Sequence, residues 1–125
     1  MLEIQETQNL SRYQQVIEAA GNDALHITEA FDKGEVNGFI AYAYDSEAVI
    51  IYDFDDNNDL YLCDGLVRSV LFKGCLKGLD KAEFKIQDET KYSRLKSLLF
   101  VKDNSNVLEN MNEFMDKCKK CRESK

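Results

Sequence analysis

The chain has 125 residues, with 16 Lys and Arg against 23 Asp and Glu, a formal net charge of −7, and no proline. At 44% hydrophobic and 31% charged, its composition is that of a folded domain and not of a disordered tail. The acidity argues against a nucleic-acid partner, and the absence of any apolar run near the ~20 residues needed to cross a bilayer argues against a membrane span.

The length fits a single domain over residues 1–125, large enough to bury roughly two-thirds of its unfolded surface without a disulfide or structural metal. Met1–Glu6 carries no apolar leader. The cysteines, Cys63, Cys75, Cys118 and Cys121, are therefore expected as thiols in a reducing, cytoplasmic setting.

Leu2 to Glu6 reads as a short strand. A helix follows, with Leu10, Tyr13, Val16, Ile17 and Ala20 on one face, Asn9 or Ser11 as its cap and Gly21 as its end. Leu25–Phe31, Val36–Tyr44 and Glu47–Phe54 read as strands joined by turns at Asp32–Glu35 and Asp45–Ser46. Such short connections predict an antiparallel meander. After a polar loop, Asp55–Asp59, a helix is predicted from about Asp64 to Gly78. Its apolar face carries Leu66, Val67, Val70, Leu71 and Cys75, with Gly74 and Gly78 permitting close approach to a sheet. Lys81–Ile86 is the next strand, so this helix is a crossover that implies a parallel pair. Tyr92–Phe100 reads as helical. Val107, Leu108, Met111, Phe114, Met115 and Cys118 form an apolar stripe that predicts a last amphipathic helix, with the Lys-rich end after it placed where the macrodipole favours cations.

Glu35-Val36-Asn37-Gly38-Phe39-Ile40 resembles the (E/K)-x-(I/V)-G-F strand of the GNAT-type N-acetyltransferases. Asp64-Gly65-Leu66-Val67-Arg68-Ser69-Val70-Leu71, with Lys77–Ala82, resembles their central helix and the turn after it. The resemblance covers roughly Leu25 to Ile86. It implies an α/β (α+β) fold: a mixed sheet with an antiparallel meander, a central crossover helix and a C-terminal amphipathic helix. It also implies acetyl-CoA as acyl donor, held around Asp64, Gly65, Leu66 and Arg68. A small-molecule or protein amine would be the acceptor, with Tyr92 at the place of the family's frequent acid.

The chain departs from that pattern in one loop. Members of the family hold the pyrophosphate with a Gly-rich Q/R-x-x-G-x-G/A turn at a helix N-terminus. Here the segment is Phe54-Asp55-Asp56-Asn57-Asn58-Asp59-Leu60-Tyr61-Leu62-Cys63-Asp64-Gly65, with carboxylates where phosphate should arrive. Two like charges ~4 Å apart repel by ~4 kcal/mol at an effective dielectric of 20. Asp64 is a candidate helix cap, and the chain looks too short for the family's final strand pair after Phe100. Two readings follow: an acyl-CoA-dependent N-acyltransferase with an atypical CoA loop, or a catalytically inactive protein of the same fold that serves as an interaction module.

A metal-binding protein is a third reading. Asp53–Asp64 fits a calcium-loop template at positions one, three, five and twelve, but lacks its central Gly and its terminal Glu. Cys118-Lys-Lys-Cys121 is a C-x-x-C at a helix C-terminus, the wrong end to favour a thiolate, and His26 is the one histidine; no metal site is predicted. Arg68 is expected to pair with a nearby acid, His26 to pair across strands, and Glu29 and Glu83 to be exposed strand carboxylates.

Overall fold

The strands of the predicted meander are hydrogen-bonded neighbours in a computed structural model, which describes residues 2–21 and 24–116. Strand β1 (Leu2–Thr7) leads through a 3₁₀ turn (Ser11–Tyr13) into helix α1 (Gln14–Ala20). Gly21 ends α1 in the left-handed region, at φ 66°, its N–H donating to the Ile17 and Glu18 carbonyls. The meander is β2 (His26–Asp32), β3 (Glu35–Tyr44) and β4 (Val49–Asp55). Lys33 and Gly34, both at positive φ, make the tight β2–β3 turn. Asp45 closes the β3–β4 turn by accepting from the Glu47 and Ala48 amides at 2.7 Å each.

Helix α2 (Leu60–Leu76) then crosses to β5 (Lys81–Phe84), parallel to β4, followed by helix α3 (Glu89–Ser97) and β6 (Val107–Glu109), antiparallel to β5. Sheet order among the described residues is β1-β2-β3-β4-β5-β6. Each face has its own core. On one, α2 packs Leu66, Val67, Val70 and Leu71 against Ile40, Tyr42, Val49, Ile51 and Phe84. On the other, the short α1 packs Tyr13 and Ile17 on Ile27, Ala41 and Ala43. Glycines permit two close approaches. A Cβ at Gly74 would meet Met111 and Val49, and one at Gly38, in the GNAT-like strand, would overlap the Asp55 carbonyl oxygen.

The structure corrects several expectations. Helix α2 starts at Leu60, not near Asp64, because Asp59 is its cap, accepting from the Tyr61 amide at 2.9 Å and the Leu62 amide at 3.4 Å. Gly78 is not a packing glycine; it is the left-handed residue that ends α2, at φ 82°. The last apolar stripe is not one helix. Val107 and Leu108 lie in β6, the one strand after Phe100 among the described residues, and of the stripe's described positions only those within residues 111–116 are helical. Asn110, at φ 57°, separates the two, and Asp80 accepts from the Met111 and Asn112 amides to start the helical turn. Cys118, Cys121 and the Lys-rich end lie outside the described residues.

Candidate functional site

The parallel pair β4–β5 is short. Val49, Ile50 and Ile51 face Ala82, Glu83 and Phe84, and the last bond runs from the Lys85 amide to the Ile51 carbonyl at 2.8 Å. The β3–β4 register slips at this level: Ala41 faces Asp53 while Tyr42 faces Ile51. Tyr52 is thus a bulge residue, and a bulge bends its strand and ends regular pairing. Beyond it β4 and β5 part around a cleft of ≈ 420 Å³, bordered by Tyr52 and Asp53 on one side, Ile86 and Asp88 on the other, and Val16 and Ala20 of α1.

The far wall is tied by ion pairs. Lys91 of α3 donates to Asp53 at 2.9 Å, and Arg94, one turn on, grips Asp56 with two bonds of 2.5 and 2.7 Å. Asp56 is only 2% exposed, so this pair is close to fully desolvated on the carboxylate side. The bidentate geometry compensates that cost and raises the Arg94 pKa. Beneath it lies the buried Cys63, whose thiol is pushed up to about 12 by burial and then by Asp56. Such a thiol stays protonated and is a packing residue, not a nucleophile.

The acidic loop spends its carboxylates on its own backbone. Asp55 accepts from the Asn57 amide at 2.9 Å, Asp56 from the Asn58 amide at 3.1 Å, and the Asp56 carbonyl from the Asp59 amide at 2.8 Å. Asn57 and Asn58 take the left-handed conformations that this tight path requires, at φ 52° and 55°. With Asp59 capping Tyr61 and Leu62, the Asn57, Asn58, Asp59, Tyr61 and Leu62 amides at this helix N-terminus are bonded internally. Among the described residues, no group of three or more His, Cys, Asp or Glu is placed to hold a metal ion.

The predicted site residues fall in three places. Asp64 and Arg68 pair at 2.8 Å on the second turn of α2, and the Arg68 guanidinium lies over the Phe100 and Phe114 rings at 5.5 and 5.4 Å. Gly65 lies beside Ile4 of β1, and Leu66 is core. Tyr92 stands apart from the parted-strand cleft. Its hydroxyl meets the Lys102 and Ser105 carbonyls at 2.7 and 2.6 Å, pinning the loop after α3.

Sequence reasoning passed over Lys91 and Arg94, although their three-residue spacing puts both on one face of a helix capped by Asp88. Glu29 corrects an expectation: it is buried, not exposed, and accepts a short hydrogen bond from the Tyr13 hydroxyl, whose pKa is raised by burial and by that carboxylate. Glu29 floors a second cleft on the α1 side, of ≈ 500 Å³, rimmed by Arg12, Glu35 and Phe31. His26 pairs with Glu6 at 3.2 Å across β1–β2 and stacks on Tyr42.

No family model matches the sequence, and no curated protein does. Solved structures do. The chain aligns with a GNAT family acetyltransferase from Elizabethkingia anophelis with acetyl-CoA bound, at TM-score 0.60 and 15% identity, over 78% of this chain and 74% of that one. It aligns with the ribosomal-protein-S18-alanine N-acetyltransferase from Escherichia coli at TM-score 0.63 and 8% identity, over 88% and 94%. An aminoglycoside N-acetyltransferase in complex with CoA aligns at TM-score 0.56 and 13% identity, over 82% and 92%. At these identities the likeness is one of fold: the chain has the GNAT acetyltransferase fold.

Proposed function

We propose that the parted-strand cleft takes the acyl-thioester arm of an acyl-CoA, and that the protein is an N-acyltransferase-like protein acting on an amine. The observation that carries this reading is the parting of β4 and β5 at the Tyr52 bulge, in a fold whose solved neighbours include proteins with acetyl-CoA or CoA bound. A thioester there would offer its carbonyl to an amine nitrogen. The buried Glu29 at the floor of the α1-side cleft is chemistry suited to a cationic acceptor. Tyr92 acts as the acid in this reading only after giving up the Lys102 and Ser105 carbonyls.

A second reading has a specific observation in its favour. The loop amides are satisfied by Asp55, Asp56 and Asp59, and the Asp56–Arg94 pair ties that loop to α3. A catalytically inactive protein of this fold, with a nucleotide grip replaced by a structural acidic loop, accounts for both features.

Titration calorimetry with acetyl-CoA separates the two. The acyltransferase reading expects binding, weakened by the acidic loop, together with turnover of an amine. It further expects Asp59→Asn to tighten binding, since Asn still caps the helix while one negative charge is removed from the phosphate side. No heat at millimolar acetyl-CoA, for either form, rejects the acyltransferase reading and leaves the second.

A further inference from the structure

Glu29 is buried, at 5% exposure, yet no cation neutralises it. One carboxylate oxygen accepts the Tyr13 hydroxyl. Among the described residues the other oxygen has no hydrogen-bond or ion-pair partner. It is not sealed off either, since every fully buried polar side-chain atom among them is satisfied. That oxygen therefore opens into the α1-side cleft that Glu29 lines. One hydroxyl does not replace the hydration a buried carboxylate loses, so such groups normally carry a cation. Burial and Glu29 raise the Tyr13 pKa, and the nearby Arg12 opposes them without reversing them. Arg12 itself is exposed and makes no ion pair with Glu29. Phe31 and Val36 give the cleft an apolar wall, and Glu35 adds a carboxylate at its mouth. Ala30 faces Gly38 while Phe31 faces Val36, so Asn37 is a bulge that bends β3 beside the cleft.

We propose that the α1-side cleft binds a primary alkylammonium group, with the open oxygen of Glu29 as its counter-ion. An ammonium supplies both the charge and the N–H donor which that oxygen lacks, and an alkyl arm suits the Phe31–Val36 wall. A hard metal ion does not fit, because it needs several oxygen ligands and no group of three acidic or other metal-ligating side chains gathers among the described residues. The inference deepens the acceptor side of the acyltransferase reading and rests on that reading only for its link to catalysis. An ion pair with a buried carboxylate favours the charged amine, whose lone pair is then taken up by a proton. The nitrogen at Glu29 is thus the acceptor's anchor, and a second nitrogen of the same molecule receives the acyl group. Binding at Glu29 needs no acyl donor.

Titration calorimetry of the full chain with butylammonium, against neutral butan-1-ol, tests the site. Butylammonium should bind with a dissociation constant of about 0.1–1 mM, and the alcohol should give no heat. Glu29→Gln should weaken butylammonium binding tenfold or more. Its melting temperature should stay level or rise, because an unneutralised buried charge has been removed. Glu35→Gln, at an exposed position, should weaken binding about twofold at low salt, and Arg12→Gln should tighten it by a similar factor. With 1,6-diaminohexane as acceptor, Glu29→Gln should raise KM and leave kcat nearly unchanged; a loss confined to kcat overturns the anchoring role. Heat with acetyl-CoA but none with butylammonium overturns this proposal and spares the acyltransferase reading. Heat with butylammonium but none with acetyl-CoA supports the site and rejects that reading. Equal affinity in wild type and Glu29→Gln overturns the proposal outright.

Discussion

Two helices of this protein end in the same hydrogen-bonded motif with different residues at its critical position. At the end of α2, the Leu79 amide reaches the Gly74 carbonyl and the Gly78 amide reaches Cys75, with Gly78 in the left-handed region. At the end of α3, the Phe100 amide reaches Leu95 and the Leu99 amide reaches Lys96, but the left-handed residue is Leu99, at φ 70°. A leucine there crowds its Cβ against its own carbonyl, at a cost of roughly 1 kcal/mol. Its side chain is 74% exposed, so little packing compensates. Leu99→Gly should therefore raise stability by about 0.5–1 kcal/mol in urea unfolding, the gain being limited by the extra freedom glycine brings to the unfolded chain. Gly38→Ala should do the reverse, because its methyl would overlap the Asp55 carbonyl where β3 and β4 approach. A loss of about 1–3 kcal/mol is expected from such overpacking. An unchanged urea midpoint for the alanine variant would mean that β4 yields without cost.

At the scale of elements, the acidic loop and α3 form one mechanical unit. Removing Arg94 strands Asp56 with its charge buried and its two strongest bonds gone. Arg94→Ala should cost about 3 kcal/mol, the low end for a broken buried pair because the guanidinium keeps some solvent contact. Asp56→Asn combined with Arg94→Ala should cost much less than the sum of the two single changes, and strict additivity in that double-mutant cycle would show that the pair does not couple.

This unit was also where the sequence was hardest to read. The meander, the crossover helix and the order of elements were legible because alternating and helical apolar spacing survive in a single chain. The start of α2 was not, because Asp64 reads as the cap in the sequence, and only the backbone path of Asp55–Asn58 puts Asp59 in that place. Strand β6 was hidden because Val107 and Leu108 fit both a helical and a strand period over so short a run, and pairing with β5 decides the matter. Burial of Glu29 depends on Tyr13, a helix away, and no local pattern announces that contact.

Over the whole molecule, stability should be bounded by protonation on both sides of neutrality. On the acid side, the carboxyls of Asp45, Asp80, Asp88 and Asp103 are held below their ordinary value of 3.8, by hydrogen bonds from Glu47, Asn112, Thr90 and Lys96 respectively. Burial would raise Glu6, but hydrogen bonds with His26 and Tyr42 and the charge of Lys73 more than offset it, and its pKa falls below 4.5. The folded chain then binds fewer protons than the unfolded one in that range. This stability is fully present above the ordinary values and is lost as pH falls through the lowered ones.

On the alkaline side the sign reverses. Burial pushes Cys63 from 9.0 to about 12, and Tyr42 and Tyr44 from 10.0 to about 12. Between those values the folded chain keeps protons that the unfolded chain sheds, so stability present below pH 9.0 should decline as pH rises toward about 12. Urea midpoints measured across the pH range should show a plateau with a fall at each end. Cys63→Ala should remove part of the alkaline slope while lowering the plateau, because the thiol both titrates and fills the core beneath Asp56. A midpoint that stays level from pH 9 to 11 would mean that these groups ionise without opening the fold.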